Sequence, residues 1–75
     1  MEKKKFYVVI SGPYYCWYIT GFSEKRCNWM LSETGQPYSF DRAHYIAKFI
    51  RNYIKGKPDY TEGKTRLIVV PANPL

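Results

Sequence analysis

Hydrophobic positions along this chain follow two different rhythms. Four short runs mix β-branched and aromatic residues: Phe6–Ser11 (FYVVIS), Tyr14–Thr20 (YYCWYIT), Cys27–Ser32 (CNWMLS) and Thr65–Val70 (TRLIVV). Each has the length and composition of a strand. Between the third and fourth, Ser39–Lys55 (SFDRAHYIAKFIRNYIK) repeats apolar residues three and four apart. At about 100° per residue, Phe40, Ala43, Ile46, Ala47, Ile50 and Ile54 gather on one face of a helix. His44, Lys48, Arg51 and Lys55 gather on the opposite face. Ser39 has the chemistry of an N-cap, and Asp41 in the first turn suits the positive end of the helix dipole. Gly56 and Pro58 mark the stop.

Alternation within the strands constrains how they pair. Gly12-Pro13 is a turn dipeptide, and a two-residue loop there sets Ile10 opposite Tyr15, Val8 opposite Trp17 and Phe6 opposite Ile19. A turn centred on Phe22 sets Trp17 opposite Cys27 and Tyr15 opposite Trp29. One sheet face then carries Phe6, Val8, Ile10, Tyr15, Trp17, Ile19, Cys27, Trp29 and Leu31, and the helix is expected to cover it. The other face carries Tyr7, Val9, Cys16, Tyr18, Thr20, Asn28 and Met30. A one-residue slip would exchange the faces, so the apolar grouping favours this register. The last run is apolar on both sides, as a central or parallel strand is. A crossover through the helix places it beside the first strand and parallel to it, in the order 4-1-2-3. The fold expected is a small α+β domain, β-β-β-α-β, with one helix on one face of a mostly antiparallel four-stranded sheet.

With 75 residues the chain makes one domain, led in by a basic segment over residues 1–5 and closed by an extended tail over 71–75. Eight Tyr, four Phe and two Trp supply core area that so short a chain otherwise lacks. A net charge of +6 points to an anionic partner. Two cysteines, Cys16 and Cys27, are too few for a disulfide scaffold, and they fall on opposite faces of the predicted sheet. The apolar run Phe6–Ile10 is too short for a signal peptide, and nothing is long enough to cross a membrane. A cytoplasmic location is therefore expected, with no membrane partner.

No nucleophile or carboxylate is placed by the pattern beside His44, the lone histidine, so no enzyme is expected. Two cysteines and one histidine without close spacing make a poor zinc set, and the glycines form no phosphate-cradling motif; no metal or cofactor is expected. What remains is binding. The helix stripe His44, Lys48, Arg51 and Lys55, extended by Lys25 and Arg26, suits phosphates or an acidic protein surface. Tyr7, Tyr18 and Met30 form an apolar contact set on the sheet face left without a helix. Interleaved Tyr and Trp on strands with basic neighbours resemble sheet-based nucleic-acid platforms. The RNA recognition motif is the nearest comparison, although it has two helices and a sheet motif absent here. Three strands followed by a helix are also similar to the sheet-reading DNA-binding domains of phage integrases. Size and element order resemble small phage accessory proteins, which implies the alternative of an inhibitor or adaptor that blocks a host enzyme or defence complex. A homodimer through the open sheet face belongs with that alternative.

Overall fold

The computed structural model describes residues 4–55, 57 and 64–72. It contains β1 (Phe6–Ser11), β2 (Cys16–Ser23), β3 (Asn28–Ser32), α1 (Phe40–Ile54) and β4 (Arg66–Pro71). These form a small α+β domain, a four-stranded sheet in the order β3-β2-β1-β4 with one helix on it. The order is the expected one, but β4 runs antiparallel to β1, not parallel.

The reversal has a visible cause. After β3 the chain turns back before it enters the helix. Tyr38 and Phe6 exchange both backbone hydrogen bonds at 2.8 Å, so α1 begins beside the start of β1. It ends near the other end of the sheet, where Leu67 stands opposite Ile10 and the Arg51 guanidinium donates to the Leu67 carbonyl at 3.1 Å. The last strand can then only return downward. The return segment is stitched into the sheet. The Gly21 N–H donates to the Gln36 Oε1 at 2.9 Å, and the Tyr38 hydroxyl donates to the Ile19 carbonyl at 3.4 Å. Phe6 pairs with Pro71 on its β4 side, so Tyr38 takes the edge of Phe6 that β2 has vacated. Backbone groups there would otherwise lack partners.

Both expected hairpin registers are displaced by an even number of residues. Ile10 faces Trp17, not Tyr15, and Ile19 faces Leu31. An even shift keeps the side chains of β1, and of β2 and β3 where they pair before the bulge, on their predicted faces. Tyr14 and Tyr15 therefore belong to the β1–β2 turn, where the Gly12 N–H donates to the Tyr15 carbonyl at 2.9 Å. The β2–β3 turn is not centred on Phe22. It comprises Glu24 to Cys27, and Cys27 sits at φ 52 outside β3. Phe22 lies within β2, past a bulge at which the pairing shifts between Thr20 and Ser23. Gly21 at the bulge has φ 56, a left-handed conformation that a side chain would resist. The extra residue turns Phe22 to the helix side, where it meets Phe49 edge-on at 5.2 Å.

The core lies between α1 and the sheet: Val8, Ile10, Ile19, Tyr38, Ala43, Ile46, Ala47, Ile50, Ile54 and Leu67. The predicted N-cap is in place, with the Ser39 Oγ accepting from the Arg42 N–H at 3.2 Å. Five of the six residues expected on the buried helix face are buried, and Phe40 is the exception at 55% exposed, lying edge-on against Phe6. Packed over β1 and β4, the helix leaves Leu31 on the outer strand β3 49% exposed, although it points to the helix side. Gly56, Pro58 and most of the 57–64 loop lie outside the described residues.

Candidate functional site

The side chains singled out in the sequence occupy three places. His44, Lys48, Arg51 and Lys55 are all exposed. They lie on the helix flank that leans over β4, as the Arg51 bond to Leu67 shows, and not on the far side of the helix. Arg51 is thereby committed to holding an edge carbonyl of β4, and the His44 ring lies 4.3 Å from that of Phe40. Lys48 and Lys55 are left as the two outward cations of the stripe.

Lys25 and Arg26 do not extend that stripe. Their turn meets the other flank of the helix, where the Tyr45 hydroxyl donates to Glu24 and the Arg42 guanidinium stacks over the rings of Phe22 and Tyr45. The Glu24 carboxylate, as acceptor, pushes the Tyr45 phenol up from its ordinary range.

The open sheet face is partly covered by the chain itself. The backbone at Gly35 lies so close to Tyr7 that a Cβ there would stand 2.7 Å from the ring. Tyr7 is half-buried and meets Tyr18 edge-on at 5.0 Å, and Val9, which pairs with Tyr18 across the strands, is buried. Met30 stays 64% exposed and Ile68 41%. Cys16 and Cys27 are both free and exposed.

A further group was not anticipated. Arg66 begins β4 opposite Ser11, beside the β1–β2 turn. Ser11, Gly12, Pro13, Tyr14, Lys64 and Arg66 line an open cleft of about 510 Å³. Its walls are braced from behind. The hydroxyls of Tyr15 and Thr65 share a hydrogen bond at 2.8 Å, and the Tyr15 ring lies against Gly12. A Cβ on Gly12 would stand 2.3 Å from that ring. Gly12→Ala must therefore displace a ring held at its hydroxyl end, and it should cost about 1–2 kcal/mol of unfolding free energy in urea titration. Wild-type stability in that variant would mean that the ring swings aside freely and braces nothing. The sequence signal for this cleft was the predicted neighbourhood of the first and last strands. With the last strand taken as parallel, Arg66 would have fallen at the Phe6 end, far from the turn.

Among the described residues no three His, Cys, Asp or Glu side chains are grouped to hold a metal ion, and no helix is long and apolar enough to cross a membrane. Comparison with known protein families, with curated proteins and with solved structures gives no match.

Proposed function

We propose that this protein is a non-enzymatic nucleic-acid-binding domain that holds phosphates along its β4 side. One observation carries the reading: cations of the helix flank and of the start of β4 lie on the same side of the molecule. Lys64 and Arg66 line the cleft at the start of β4. The helix flank bearing Lys48 and Lys55 is tied to the next residue of that strand, Leu67, through Arg51. Among the described carboxylates, Asp41 stands in the first turn of the helix and Glu24 in the β2–β3 turn, both at the opposite end, and Glu33 follows β3 across the sheet. Lys4, Lys5, Lys25, Arg26 and Arg42 share that opposite end with Glu24 and Asp41, whereas the cations on the β4 side stand apart from the described carboxylates, and such a local excess of positive charge attracts a polyanion.

The test is fluorescence anisotropy with labelled oligo(dT) and a labelled mixed-sequence duplex across a salt series. Four cations contacting about four phosphates give a log–log salt slope of about −3 to −4 on duplex, or roughly 100-fold weaker binding at 200 mM than at 50 mM salt. Lys55→Gln should make that slope shallower by about one. The absence of a salt-sensitive complex with either probe at low salt would refute the reading.

A second reading, a protein-binding inhibitor or adaptor, draws on Met30 and Ile68, exposed apolar side chains on the open sheet face. It predicts binding that is insensitive to salt and, if the partner is a second copy, a dimer mass in light scattering.

A further inference from the structure

Resting on the nucleic-acid reading, we propose that the cleft at the β1–β2 turn selects unpaired strands: Lys64 and Arg66 take a backbone phosphate, and Tyr14 stacks on the adjacent base. Tyr14 is 96% exposed, the most exposed of the large hydrophobic side chains among the described residues. It therefore contributes little to the core, yet the backbone that carries it is held. Pro13 precedes it with a fixed φ, and Tyr15 follows it, anchored to Thr65 through its hydroxyl and to the Gly12 N–H through its carbonyl. A turn held in this way loses little backbone freedom when it binds.

The cleft beside it has the right chemistry. Its volume of about 510 Å³ lies in the range of sites that take small ligands. Arg66 offers a planar fork of donors suited to a phosphate, Lys64 a mobile point charge and Ser11 a hydroxyl. The Gly12 N–H is already committed to Tyr15, and Pro13 has none, so the charged and hydroxyl donors of the cleft are the side chains of Lys64, Arg66 and Ser11. Cations that follow the backbone beside an aromatic ring that takes a base are how single strands are held without regard to sequence. In a duplex the base faces are stacked on one another, and Tyr14 has nothing to cover. The ring thus separates the two forms of nucleic acid where the charges cannot.

The same two probes decide the matter. Oligo(dT) should bind more tightly than the duplex at equal salt. Tyr14→Ala should lower oligo(dT) affinity about tenfold and leave duplex affinity within about twofold, whereas Tyr14→Phe should retain the single-strand preference because stacking needs the ring alone. Arg66→Gln should weaken oligo(dT) binding and make its salt slope shallower by about 0.7. Thermal melts of the Tyr14 variants should match the parent, since the ring is exposed. If the duplex binds in a salt-sensitive manner but Tyr14→Ala changes neither probe, or both equally, this inference fails and the broader reading stands. If neither probe binds at low salt, both fail.

Discussion

Replacing Ile50 with alanine should lower the free energy of unfolding by about 3 kcal/mol, the middle of the range for a fully buried aliphatic side chain. Ile50 is 0% exposed, and with Ile19, Ile46 and Val8 it is among the largest side chains wholly inside the core. All four belong to the single layer between α1 and the sheet, and the described residues contain no second core to share the loss. A cavity at Ile50 would be hard to close, because the neighbouring helix position Ala47 is already small and β1 behind it is fixed by pairing on both edges. For a domain of this size the whole stability margin sits near the low end of about 5–15 kcal/mol. The variant should therefore show a much lower urea midpoint with an unchanged slope. A loss below about 1 kcal/mol would mean that the helix is not docked on the sheet as described.

Tyr38→Ala should cost about as much, roughly 3 kcal/mol, while Tyr38→Phe should cost about 0.5 kcal/mol or less. The ring is buried in the core where the chain turns into the helix, so removing it empties the seam between β1, β2 and α1. The hydroxyl reaches the Ile19 carbonyl only at 3.4 Å, a long and weak bond. Equal losses in the two variants would shift the role from ring to hydroxyl.

The phenol adds a pH signature. Burial pushes the Tyr38 ionisation up from its ordinary value of 10.0, and the Arg42 charge and the Phe22 backbone pull it down less. The folded state thus keeps the proton to higher pH than the unfolded state does. Its contribution is whole below pH 10 and is lost as pH rises through the folded value. Urea midpoints should fall above pH 10, and Tyr38→Phe should remove part of that fall. A variant whose alkaline decline matches the parent would place the buried proton elsewhere.

The helix is legible in the sequence because its information is local. Ser39 caps it, the isoleucines recur at the spacing of one face, and both facts hold whatever surrounds them. The two faces of β1, β2 and β3 were legible for a similar reason: alternation survives an even shift in register, so Val8, Ile10 and Ile19 were assigned to the core even though their expected partners were displaced. Phe22 defeated this reasoning. A single bulged residue, Gly21, changes the parity of everything beyond it in β2, and glycine in a turn-rich stretch reads equally well as the turn itself. The cleft was hidden by direction. Tyr14 and Arg66 are far apart in sequence and share no periodicity, and they come together only if β4 descends along β1.

What the amino-acid sequence determined by itself was the inventory of elements and which side of each is apolar, because backbone preference and side-chain alternation act over a few residues. What only the tertiary structure decided was the way the chain enters α1, and with it the direction of β4 and the meeting of Arg66 with the β1–β2 turn on the side of the helix that carries Arg51. That choice rests on the two hydrogen bonds between Tyr38 and Phe6, a pairing across more than thirty residues that no local pattern encodes.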